Sequence, residues 1–194
     1  MLMFEARSII GDIEAMKQTM KSFEAEPLGH YLFWDSIFVP KDKGEKIDLN
    51  LRTIRLRVMD MSAQRSKKAM VTEKTTLWFP TYKQDTIVIQ KTFDSEPEAH
   101  KFVADHYRRE SLKVGPKYFR EGWQYKLGDC RLFIEKIMVP NLVPSFPPTI
   151  EIQAETEKGL AVCCTRLGIR DFIPCSVPEM VRQRLDEVYH KPKG

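Results

Sequence analysis

Residues 51–58 read LRTIRLRV, and on an extended chain Ile54, Leu56 and Val58 share one face while Thr53, Arg55 and Arg57 share the other. The same two-residue period predicts eight strands, over 2–9, 30–39, 51–59, 69–79, 85–93, 117–126, 130–138 and 148–154. They are short and separated by turn residues, as antiparallel neighbours are. Pro40 ends the second strand, a polar loop follows at 41–46, and another lies around 60–67. The segment 139–148 carries Pro140, Pro144, Pro147 and Pro148 and must be an extended loop, because proline cannot serve a central ladder.

A period of 3.6 appears in four places. Ile13, Met16, Met20 and Phe23 form a stripe behind Asp12, a suitable N-cap. Ala99, Phe102, Val103 and Tyr107 follow the capping box of Ser95 and Glu98. Leu160, Cys163, Cys164 and Leu167 form a third stripe, stopped by Gly168. Ser176 and Glu179 open a last helix, about 176–190, with Pro178 in its first turn and Val181, Leu185 and Val188 on its apolar face. No internal repeat or second domain is visible, so residues 1–194 are expected to form a single domain.

The polar face of each strand is unusually charged. Glu5 shares a face with Arg7, opposite Phe4 and Ala6; Thr72 shares one with Lys74, opposite Ala69, Val71 and Leu77. Arg131 goes with Glu135 and Glu151 with Gln153, opposite Leu132, Ile134, Ile150, Ile152 and Ala154. Two arrangements fit. A half-buried open sheet would turn these charges to water. A closed barrel would turn them inward and let helices cover an apolar exterior.

Composition excludes several classes. An apolar fraction of 42% is too high for a disordered chain. A net charge of +4 suits an anionic ligand but lacks the basic stripe of a duplex-DNA binder. The four cysteines form no C-x-x-C pair and are expected to be reduced, and the four histidines lack zinc-ligand spacing. There is no apolar run of membrane length and no signal-peptide pattern, which predicts a cytoplasmic protein. No Gly-rich phosphate loop, G-x-S-x-G motif or Cys–His pairing is present. Phe33, Trp34, Trp78 and Trp123 could stack on bases, although wall packing is the simpler role.

The order of several motifs resembles the CYTH, or triphosphate tunnel metalloenzyme, superfamily. MFEAR (3–7) is similar to its E-x-E-x-K strand, with Glu5 at the second Glu, Arg7 at the basic position and Met3 in place of the first Glu. LRTIRLRV is similar to the L-R-x-R strand, carried by Arg55 and Arg57, and VTEKT to the following T-x-K, carried by Lys74. WDSIFVP supplies Asp35 and YFREGW supplies Arg120. RLFIEKI and TIEIQ resemble the late acidic strands, placing Glu135 and Glu151, with Gln153 where a further Glu is expected. Strand 85–93 should carry an R-x-E-like pair and offers only Gln90 and Lys91, while CSVPEM resembles the opening of the closing helix.

The resemblance implies an α+β fold, a closed antiparallel eight-stranded β-barrel (tunnel) with a polar interior and helices packed outside. It implies metal-dependent hydrolysis of inorganic triphosphate, a nucleoside or thiamine triphosphate, or an RNA 5′-triphosphate, with Mg²⁺ or Mn²⁺. Arg7, Arg55, Arg57, Lys74 and Arg120 would then bind phosphate, Glu5, Glu135 and Glu151 would hold metal, and Glu5 and Lys74 would be catalytic. An adenylyl cyclase would need a base pocket as well as metal. The alternative is a tunnel that binds a phosphorylated ligand, an RNA end or a protein without turnover. A homodimer is compatible with either. Bland roles also stay open, such as Glu135 neutralising Arg131.

Overall fold

The computed structural model describes residues 2–40, 48–49, 51–61, 66–142 and 146–189. The loop expected at 41–46 lies outside them, as do 62–65 of the second polar loop and 143–145 of the Pro-rich segment. The strands are β1 (Leu2–Ile9), β2 (Glu26–Pro40), β3 (Arg52–Met61), β4 (Ser66–Trp78), β5 (Lys83–Phe93), β6 (Leu112–Leu127), β7 (Cys130–Met138) and β8 (Thr149–Ala154). The helices are α1 (Ile13–Ser22), α2 (Glu96–His106), α3 (Glu157–Arg166) and α4 (Val177–Tyr189). The strands close into an antiparallel barrel in the order β1-β5-β4-β3-β2-β6-β7-β8, so no strand edge is left unpaired.

The alternation in each strand decides which side the helices cover. Ala6, Leu132, Ile134, Ile150, Ile152 and Ala154 point out of β1, β7 and β8 and pack with Met20 of α1 and Leu160 and Cys163 of α3. Ile54, Leu56, Ala69 and Val71 point out of β3 and β4 and pack beneath Ala99 and Val103 of α2. Burying one such Leu or Ile side chain is worth about 1.5–3 kcal/mol, so the apolar exterior is the main stabilising layer. Arg55 and Arg57 consequently face inward, and the open-sheet arrangement does not occur.

One end of the barrel is plugged. Ile37, Tyr118 and Ile137 come from the barrel wall and pack with Leu49 and with Val177 and Val181 of α4. The capping box expected here forms in part. The Ser176 hydroxyl accepts from the Glu179 amide at 3.2 Å and donates to the Leu49 carbonyl at 2.9 Å. That carbonyl also accepts from Thr53 at 3.1 Å, so the helix start is tied to β3.

Two strands run longer than the alternation predicts. β6 begins at Leu112, through Gly115 and Pro116. Its register with β2 shifts there, so Gly115 and Pro116 oppose Ile37 alone. A bulge is where a strand tolerates a residue without an N–H. β2 begins at Glu26 and has a similar shift between Pro27 and Gly29.

Gly122 has a specific reason to lack a side chain. It sits opposite Tyr31 across β2 and β6, and a Cβ there would overlap the Tyr31 ring. The ring cannot swing away cheaply, because its hydroxyl donates to Glu135 at 2.6 Å on the next strand. Gly122→Ala should therefore destabilise the protein by about 1–3 kcal/mol, read as a lower urea midpoint.

Candidate functional site

Behind the α4 plug the barrel encloses a cavity of about 320 Å³. Glu5, Arg7, Arg55, Arg57, Lys74, Arg120, Glu135 and Glu151, the candidates taken from the sequence, all line it. They are gathered from β1, β3, β4, β6, β7 and β8, and the inward phase of each strand brings them together.

The interior charges are arranged as neighbours of opposite sign. Asp35 on β2 stands across from Arg57 on β3, which grips it with two bonds of 2.7 and 2.8 Å. Burial would raise the Asp35 carboxyl, but the Arg57 and Arg55 guanidiniums override it and hold the group far below the usual carboxylate range. The Phe33 ring lies 4.2 Å from the Arg57 guanidinium and completes its packing.

Glu135 accepts from Arg7 at 2.7 Å, from the Tyr31 hydroxyl and from Arg120. Burial again opposes ionisation, and Arg120 and Arg7 win, driving the carboxyl down to about 2. Arg7 also pairs with Glu151, its cross-strand neighbour on β8, which accepts from the Gln153 amide as well. Glu135 therefore compensates Arg7 and Arg120, not Arg131.

The β5 charges were missed by the sequence reading. That strand carries Lys83 and Asp85 inward, rather than a pair built on Gln90 and Lys91. Lys83 reaches Glu5 at 2.8 Å and Asp85 at 3.1 Å. Lys74 meets the same Asp85 at 2.5 Å, and Thr76 donates to it at 2.7 Å. The β4–β5 register shifts between Glu73 and Lys74, leaving Val88 as an extra, exposed residue. Gln90 then faces the cavity, while Lys91 lies over Phe93 and Phe102 outside. Tyr31 and Tyr118 were also missed, because aromatics on strands are normally wall packing.

Arg55 differs from Arg57. Its closest carboxylate is Asp35 at 3.9 Å, already gripped by Arg57, and its Nε is buried without a hydrogen-bond partner. Burial and the neighbouring Arg57 both push its charged form in the unfavourable direction. Among the described residues, three other buried atoms share this condition: Thr72 Oγ1, Tyr118 OH and Arg120 Nε. Thr72 is the direct cross-strand partner of Arg55, and all four side chains line the cavity. Buried polar groups are rarely left unpaired, and a set of them with a surplus guanidinium is suited to an anion.

The divalent metal implied by the sequence resemblance finds a poor fit. Among the described residues no group of three His, Cys, Asp or Glu side chains could hold an ion. Glu5, Glu135 and Glu151 share one chamber, but cations separate them. Arg7 touches all three, at 4.0 Å from Glu5, 2.7 Å from Glu135 and in direct contact with Glu151.

No protein-family model matches the sequence, and no curated protein sequence matches it significantly. Solved structures do match in fold. The PH1819 protein of Pyrococcus horikoshii OT3 superposes with a TM-score of 0.67 at 16% identity, covering 95% of this chain and 98% of that one. The Hippeastrum protein HpAC1, assigned as an adenylyl cyclase and found to have a dominant triphosphatase activity, superposes with a TM-score of 0.62 at 14% identity, covering 93% and 95%. A chain of the Schizosaccharomyces pombe Mediator head module superposes with a TM-score of 0.57 at 10% identity, covering 97% and 96%. The chain shares the fold of these proteins, a closed eight-stranded antiparallel barrel with helices packed outside.

The two arginines of β3 should behave differently when removed. Arg57→Ala strands Asp35 in the interior and should cost about 3–5 kcal/mol in urea unfolding. Arg55→Ala removes a cation without a close partner and should cost no more than about 1 kcal/mol.

Proposed function

We propose that the tunnel binds a triphosphate-class anion. The observation that carries this reading is that Arg55, Arg120, Tyr118 and Thr72, each with a buried polar atom lacking a hydrogen-bond partner, all line one cavity. A phosphoryl group offers several acceptor oxygens to such donors and a negative charge to Arg55. Lys74 and Arg7 stand further along the same wall, so a chain of phosphates gains more contacts than a single one. Inorganic triphosphate would sit wholly inside. The nucleoside, thiamine or RNA portion of a larger ligand would extend past Phe133 toward the exposed Arg131.

A second reading, hydrolysis, is favoured by the triphosphatase activity of HpAC1, which shares the fold. Catalysis would consist of positioning and electrostatic stabilisation, with Glu5 and Lys74 nearest the reacting phosphate and Mg²⁺ or Mn²⁺ as cofactor. Phosphate release from tripolyphosphate and nucleoside triphosphates, with and without these ions, separates the readings. Turnover that is abolished by chelator and by Glu5→Ala establishes hydrolysis. Binding without turnover leaves a receptor, and no binding at all overturns both.

Calorimetric titration with tripolyphosphate should show saturable binding, weakened about tenfold or more by Arg55→Ala. The affinity should also depend on Lys74. Burial and the nearby Lys83 push its ammonium down to about 8, against the opposing pull of Asp85 and Glu5, with Arg55 adding to the depression. Only the protonated form attracts phosphate, so the Lys74 contribution to affinity should be fully present below pH 8 and be lost as the pH rises through it. Lys74→Met should flatten that dependence.

A further inference from the structure

We infer that this tunnel engages its polyphosphate ligand without a divalent metal, the Lys83 ammonium standing as a built-in cation between Glu5 and Asp85. The inference rests on the anion-binding reading above and adds the identity of the counter-charge.

The strand register carries the argument. On the tunnel face, Glu5 has Met3 and Arg7 as neighbours along β1, Lys83 across on β5 and Gln153 across on β8. None of these four neighbours is a carboxylate. A hard divalent cation needs several anionic or carbonyl oxygens converging on one point, and Glu5 has no adjacent partner to share one. The carboxylates one step further away are Asp85, opposite Met3, and Glu151, opposite Arg7. A cationic side chain already stands between Glu5 and each of them.

Lys83 fills the first gap, at 2.8 Å from Glu5 and 3.1 Å from Asp85. Arg7 fills the second, bridging Glu5, Glu135 and Glu151. Burial would neutralise Lys83, but the Glu5 and Asp85 carboxylates raise it above its ordinary value, so it stays charged. A metal ion entering here would have to displace an ammonium or a guanidinium that is covalently tethered and needs no binding step. The cavity therefore holds positive charge at all times, which a metal-dependent site acquires only when loaded.

Two measurements on the intact chain decide the matter. Tripolyphosphate should bind saturably in excess chelator, and saturating Mg²⁺, which complexes the free ligand, should leave that apparent affinity unchanged or weaker, never stronger. Binding only with metal overturns the inference and leaves the anion-binding reading intact, whereas absence of binding in both buffers overturns the two together. Separately, the spin-resonance signal of free aqueous Mn²⁺ should be unchanged by the wild-type protein without triphosphate. Lys83→Met, which frees Glu5 and Asp85, should deplete that signal. Depletion by the wild-type protein that is lost on Glu5→Gln overturns the inference, and this holds even if Lys83→Met fails to fold.

Discussion

Compensation of charge inside a closed sheet is the constraint on which the structure depends. With the barrel exterior apolar and roofed by three helices, the polar strand faces turn inward and most of their charges are buried. Isolated ions in such a place cost several kcal/mol each. The wall meets this by alternation: Asp35 with Arg57, Glu135 with Arg7 and Arg120, Glu5 and Asp85 with Lys83. The pairings depend on strand register, because a one-residue slip would turn a strand's charges outward beneath the helices and its apolar residues into the tunnel. Local details answer to the same need. Gly122 makes room for Tyr31 to reach Glu135, and the bulge at Val88 returns β5 to phase.

Compensation is nearly complete, and what is left over is informative. Arg7, Arg55, Arg57, Lys74, Lys83 and Arg120 face Glu5, Asp35, Asp85, Glu135 and Glu151, and Arg55 is the cation with the weakest partner. Two residues that are equivalent by sequence, separated only by Leu56, thus do different things. Arg57 is consumed in holding Asp35, and Arg55 stands 3.9 Å from that carboxylate with its Nε unpartnered. The carboxylates are all engaged by protein cations, which favours an anion receptor over a metal centre. The fold itself does not decide the function, since a protein with a dominant triphosphatase activity and a chain of the Mediator head module share it.

Much of this was legible along the chain. Eight alternating segments foretold eight strands, and four helical stripes foretold the helices that cover them. The charged parity of Glu5–Arg7, Arg55–Arg57 and Glu151–Gln153 located the lining, because a strand's side-chain period holds as long as the strand is regular. It failed where regularity failed. Lys83 preceded the predicted start of β5, and the extra residue at Val88 shifted the phase between Asp85 and Gln90. Tyr31 and Tyr118 carried no charge to mark them as lining. The Tyr31 hydroxyl matters because Glu135 sits nearby on another strand, and the Tyr118 hydroxyl because it is buried in the cavity wall without a partner.

The sequence by itself determined the strands, the helices, the phase of each face and the inventory of charges. These are local properties, written in periods of two and 3.6 residues. Only the tertiary structure decided which charge meets which, because closure of the sheet brings together residues as distant as Arg7 and Glu135, across β8, and no local pattern encodes that distance. It decided that the charged faces turn inward, that α4 closes one end, and that Lys83 separates Glu5 from Asp85. It also divided the arginines of LRTIRLRV, since the fold brings Arg57 onto both oxygens of Asp35 and leaves Arg55 3.9 Å away with its Nε unpartnered.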